Sequence, residues 1–270
     1  MKNTILSFAL TLIFFSCSKD DTQTPAPTSV KKWTIPLSAK YENPAPASRS
    51  ETGTAILELF SDNSLKYSIS VVGLSAADAL TAAHLHVGNV ISNGGVVLDL
   101  SPSFSAGTAT GTMSNLRTSL VDSLKSDINE IYINAHSTQV ASGLIRGQLN
   151  ATIEMAADVI MNGANEVPAG TTVATGLALI RLTAAKQLYT KVTVSNLEVG
   201  DALTAAHIHK GATGATGSVM IGIYSSAAEF GTVKTFAVDD PTFASLKNDA
   251  LYVNAHSTSK PGGIVRGQIR

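Results

Sequence analysis

The chain has 270 residues, and 44% of them are hydrophobic, enough apolar side chains to fill one large or two ordinary cores. Its 19 Lys and Arg against 20 Asp and Glu give a formal net charge of −1, and the absence of a basic cluster argues against nucleic acid as a partner. A single cysteine, Cys17, excludes an internal disulfide and any cysteine-based metal site.

Residues 1–16 read as a targeting segment. Lys2 supplies a basic start, and residues 5–15 form an apolar run too short for a permanent bilayer span. Ser16 then precedes Cys17, which reads as a lipid attachment point, with a plain cleaved secretory signal or an uncleaved anchor as the alternatives. Phe14-Phe15-Ser16-Cys17 departs from the usual Leu-Ala-Gly-Cys lipobox and resembles a looser bacterial version of it. The acidic stretch that follows, Ser18-Lys19-Asp20-Asp21, resembles a surface-export signal. The expected product is an exported outer-membrane lipoprotein, held to the membrane through its N-terminal lipid, with surface exposure as the further expectation. Residues 17–30 form the lipidated cysteine and a tether, because TQTPAPTSV at 22–30 is too polar to bury and is biased to extended backbone by Pro25 and Pro27.

Beyond the tether the chain reads as strands. GTAILELF, LKYSISVVGL, GGVVLDL and IYINAH come first, then GLALIRL, QLYTKVTVSNL, SVMIGIY and LYVNAH; all are short, rich in β-branched residues and bounded by glycine or polar turns. Apolar residues at three- and four-residue spacing mark one short helix in each half, at 116–127 and 240–250. The halves repeat each other: ADALTAAHLH at 77–86 returns as GDALTAAHIH at 200–209, INAHS at 133–137 as VNAHS at 253–257, and IRGQL at 145–149 as VRGQI at 265–269. A period of about 120 residues is far too long for a solenoid or a propeller blade. The units are therefore domains, placed at 31–151 and 152–270, and the fold class is all-β: two tandem β-sandwich domains, Greek-key-like, with one short helix each.

All six histidines fall in the repeated blocks. Period-2 alternation puts Ala83, Leu85, Ile131, Ile133, Ala135, Ile145 and Leu149 on one sheet face. The other face then receives His84, His86, Asn134, His136, Arg146 and Gln148, and in the second unit His207, His209, Asn254, His256, Arg266 and Gln268.

The combination of Asn165-Glu166-Val167-Pro168 as a lead-in, a Gly-x-Ala strand, Ala-His-x-His, a Gly-rich loop, Asn-x-His and Arg-Gly-Gln resembles the chordin (CHRD) domain, present twice. The first copy departs at its lead-in, where Tyr41-Glu42-Asn43-Pro44 stands. The resemblance implies a β-sandwich module without established enzymatic activity, generally assigned to extracellular binding or structural roles.

Two readings of the polar face stay open. In one, His84, His86 and His136, and independently His207, His209 and His256, hold one Zn or Cu ion per domain, since i and i+2 side chains on a strand are rooted about 6.5–7 Å apart and a neighbouring strand can complete the set. In the other, a solvent-facing or interdomain network has His136 held by Asn134 and Gln148, while Arg146 pairs with Asp78 or a backbone carbonyl. Arg146 and Arg266 count against a second cation nearby. His-x-His also resembles the first half of a copper/zinc superoxide dismutase site, but that enzyme needs a bridging histidine, a zinc aspartate and usually a disulfide, whereas each unit here has three histidines and the chain has no second cysteine, so dismutase activity is not expected. There is no Gly-x-Ser-x-Gly elbow and no Walker loop. The loops GNVISNGG at 88–95 and GATGATG at 211–217 read as flexible rims over the polar face, and Glu166, Glu198 and Asp201 as solvated loop carboxylates. The expected function is that of a non-enzymatic envelope lipoprotein binding an extracellular protein or glycan, with metal binding as the alternative.

Overall fold

The computed structural model describes residues 25–270; Cys17 and the expected signal segment lie outside them. The first half runs β1 (Ser29–Ser38), β2 (Thr52–Phe60), β3 (Leu65–Val72), β4 (Leu80–Val87), β5 (Val96–Asp99), β6 (Thr108–Met113), α1 (Thr118–Lys125), β7 (Ile131–Ser137) and β8 (Ile145–Gln148). The second repeats it as β9 (Ile153–Asn162), β10 (Thr175–Thr183), β11 (Gln187–Ser195), β12 (Leu203–Lys210), β13 (Val219–Tyr224), β14 (Lys234–Ala237), α2 (Asp240–Asn248), β15 (Leu251–Ser257) and β16 (Val265–Gln268). β1 begins at Ser29, so it takes up the last two residues assigned to the tether. The edge strands β6 and β14 carry too little apolar alternation to stand out in the sequence.

Each half is an eight-stranded antiparallel sheet, ordered β5-β4-β7-β8-β1-β2-β3-β6 in the first and β13-β12-β15-β16-β9-β10-β11-β14 in the second. A single residue pair, Ser38 with Arg146, joins β1 to β8, and Arg266 with Asn162 is its counterpart. At that seam the sheet divides into two four-stranded layers, and the chain crosses between them after β3, β5 and β6, giving the Greek-key-type sandwich. Trp33, Ile35, Leu57 and Ile69 from one layer share a core with Leu85, Ile133, Ala135 and Ile145 from the other. Burying each large side chain contributes about 1.5–3 kcal/mol. A one-residue slip of β4 or β7 would exchange this apolar set for the histidines, so the register is strongly fixed. In the second half α2 starts where Asp239 accepts a hydrogen bond from the Thr242 N–H at 2.9 Å, with Pro241 in the first turn.

The two halves meet around an ion pair of the second half that reaches into the first. Arg181 on β10 is fully buried. It donates to Asp158 Oδ1 at 2.6 Å and, across the junction, to the Glu42 carbonyl at 2.6 Å. Asp158 Oδ2 in turn accepts from the Ala45 N–H at 2.6 Å, and the Tyr41 hydroxyl donates to the Ile153 carbonyl at 3.2 Å. The second sheet thereby grips the lead-in segment of the first.

Candidate metal centre

β4 and β7 pair so that His84 lies opposite Asn134 and Ala82 opposite His136, while β8 brings Arg146 beside Asn134 and Gln148 beside Tyr132. The three histidines of β4 and β7 converge. His84 Nδ1 and His136 Nε2 are 2.9 Å apart, and the ligand nitrogens of His84, His86 and His136 lie within 4.8 Å of one another. The second half reproduces this: His207 Nδ1 and His256 Nε2 are 3.0 Å apart, and His207, His209 and His256 form the same cluster.

The backbone sets which nitrogen each ring presents. His86 Nδ1 is 2.9 Å from the Gly94 carbonyl and His136 Nδ1 is 2.9 Å from the Ala141 carbonyl, so both rings carry their proton on Nδ1 and leave the Nε2 lone pair to the cluster. His209 and His256 do the same with the carbonyls of Gly217 and Pro261, at 3.0 and 2.9 Å. Nε2 of His86 and of His209 is buried without a hydrogen-bond partner. Burial lowers the pKa of His84, His86 and His136, and likewise of His207 and His256, keeping these rings in the neutral form that can ligate a metal.

Each His-x-His strand is braced by a three-layer stack. The His86 ring lies on Tyr132, centroids 4.9 Å apart and 7° from parallel, and the Arg146 guanidinium covers Tyr132 at 3.4 Å from its centroid. His209, Tyr252 and Arg266 repeat it at 4.7 Å, 6° and 3.4 Å. Arg146 is thus separated from the histidines by an aromatic ring. It donates to the loop carbonyls of Asn89 and Ser92 and to Asn93 Oδ1, and Arg266 donates to the carbonyls of Ala212 and Ala215. Gln148 and Gln268 hold the starts of the same loops through the Gly88 and Gly211 carbonyls, at 2.8 and 3.0 Å.

Several expectations change accordingly. The polar face is not solvent-facing: Asn134, Arg146, Gln148, Asn254 and Arg266 are buried and Gln268 is half-buried, the arginines and glutamines lying under the loops at 88–95 and 211–217 and the asparagines beside Glu42 and Glu166. These loops are pinned by arginine and glutamine rather than free. His136 is held by a backbone carbonyl, not by Asn134 or Gln148; of the two partners expected for Arg146 it takes backbone carbonyls, while Asp78 pairs with Arg49. Asp201 is no solitary solvated carboxylate either, since it accepts from Thr258 and Ser259.

Glu166, read from the sequence as a solvated loop carboxylate, is buried, and so is Glu42 in the first lead-in. Burial, opposed in part by Arg146, Asn134 and Arg181, pushes the Glu42 carboxyl up to about 7; burial, opposed by Arg266 and Asn254, pushes Glu166 up to about 7. Glu42 and Asn134 meet over Gly143, whose φ of 133° and lack of a Cβ allow the approach, as a Cβ there would lie 2.8 Å from Glu42 Oε1. A cavity of about 670 Å³ is lined by Glu42, Asn134, His86 and His136. The one sign of this in the sequence is a glutamate two residues before a proline in both lead-ins.

These features define an all-β protein of two tandem sandwich domains, each with a triad of half-buried to buried histidines. The chain belongs to the CHRD-domain family, whose model matches it twice, at residues 33–149 and 157–269. Comparisons with curated proteins and with solved structures find no match.

Proposed function

We propose that the chain is a non-enzymatic, envelope-anchored metal-binding protein in which each CHRD domain holds one copper ion through three histidines. The observation that carries this is the pair of short nitrogen–nitrogen separations, 2.9 Å between His84 and His136 and 3.0 Å between His207 and His256, each beside a buried Nε2 that has no partner. Without metal that separation is a hydrogen bond from the Nδ1–H of His84 or His207 to the Nε2 of its partner, and a metal ion would take the place of the bridging proton. Between the two candidate ions, neutral imidazole binds Cu²⁺ more tightly than Zn²⁺. The family's general assignment to extracellular binding is kept, with a metal ion as the ligand that the geometry favours. Placement at the outer membrane through a lipid on Cys17 rests on the sequence of residues 1–30. Electron paramagnetic resonance of the whole chain, without a histidine tag and with two equivalents of Cu²⁺, tests the reading. An axial spectrum with nitrogen superhyperfine splitting is expected, and a spectrum of aqueous copper contradicts it.

A further inference from the structure

The two triads are alike in their histidines and differ in what stands behind the first of them. His84 presents Nδ1 to the cluster, so its Nε2 points away, toward β5. There the register places Asp99 opposite His84, and Asp99 Oδ1 lies 3.7 Å from His84 Nε2. The Ser101 N–H donates to Asp99 Oδ1 at 2.7 Å. In the second half the register partner of His207 is Gly222, which offers no side chain at all.

The chemistry of ligation makes this difference matter. A ring that binds a metal through Nδ1 must give up the proton there, and a neutral imidazole then carries its one proton on Nε2. In the first domain that N–H faces a carboxylate; in the second it faces the space beside a glycine. A carboxylate behind a ligating histidine orients the ring, fixes its tautomer and raises its basicity, and loss of such a partner typically costs ten- to a hundredfold in metal affinity, on the order of 10–100. The 3.7 Å gap is longer than a hydrogen bond, but the Asp99 side chain is exposed enough to turn and close it.

Building on the copper reading above, we infer that the two sites are unequal, and that Asp99 is the positioning residue that makes the first domain's site the stronger. The second site can be converted to match. A Cβ placed on Gly222 meets nothing nearer than His207 Cδ2 at 4.0 Å, and Gly222 is not among the glycines with positive φ, so an aspartate fits there without strain.

The test is calorimetric titration of the whole chain, without a histidine tag, with Cu²⁺ in a competing chelator buffer. His209→Ala isolates the first site and His86→Ala the second. The wild-type chain is expected to show two steps separated by about ten- to a hundredfold. Asp99→Asn is expected to weaken the first step alone, and Gly222→Asp to strengthen the second alone, a gain that no loss of folding can imitate. Two equal steps in the wild type, or an unequal pair that neither substitution shifts, would overturn the inference while leaving the copper reading standing. No binding at either site would overturn both.

Discussion

The His86 and Tyr132 rings lie face to face, 4.9 Å apart and 7° from parallel, with Arg146 on the far side of the tyrosine. This stack turns two features that looked opposed in the sequence, a cluster of ligands and a buried arginine, into one construction. The arginine is spent on the carbonyls of the loop that covers the site, and the tyrosine stands between its guanidinium and the His86 ring, although its charge still helps to hold His86 neutral.

Removing the ring should therefore cost both stability and binding. Tyr132→Ala is expected to destabilise the first domain by about 3–5 kcal/mol, the range for deleting a large buried aromatic side chain, and to weaken its copper site. Tyr132→Phe keeps the stack and loses only the hydroxyl that accepts from the Gly94 N–H at 3.3 Å, so about 0.5–1.5 kcal/mol is expected. Urea denaturation of the two variants measures the difference.

The junction between the halves rests on Arg181. Arg181→Met leaves Asp158 without its cation and the Glu42 carbonyl without its donor, and should cost about 3–5 kcal/mol. Because the lead-in segment held by this pair also lines the cavity at His86, the variant should weaken copper binding in the first domain and leave the second unchanged. Denaturation and copper titration of the same preparation check both effects.

Glu42 gives a pH dependence with a definite sign. Its carboxyl titrates near 7 in the folded chain and near its ordinary value of 4.5 when unfolded. Between those values the folded state holds a proton that the unfolded state lacks, so this group's contribution falls as pH rises from about 4.5 to about 7 and is then constant. The full effect is about 3 kcal/mol. Glu42→Gln should match the wild type near pH 4 and be more stable by up to that amount at pH 8. Parallel stability curves for the two proteins, measured by urea denaturation across this range, would contradict the assignment.

Much of this was legible in the sequence because it depends on short-range periodicity. Alternation in AHLHVG and IYINAH places the histidines on one face whatever the rest of the chain does, and the repeated blocks give the tandem architecture. What could not be read depends on long-range register and on loops folding back. Asp99 reaches His84 only through the β4–β5 pairing, which is irregular between Leu85 and His86. The burial of Arg146 depends on where residues 88–95 settle, and in GLALIRL nothing marks Arg181 as a residue that reaches beyond its own domain. Glu166 looked like a loop carboxylate because its partners Asn254 and Arg266 come from distant strands.

The most direct measurement is elemental mass spectrometry of the whole, tag-free chain after exposure to equal Zn²⁺ and Cu²⁺ and removal of loose metal. Two copper ions per chain are expected, falling to one in His86→Ala or His209→Ala and to none in the double variant. A wild-type chain that emerges without metal would contradict the assignment of the six histidines as ligands and leave them as members of a buried structural network.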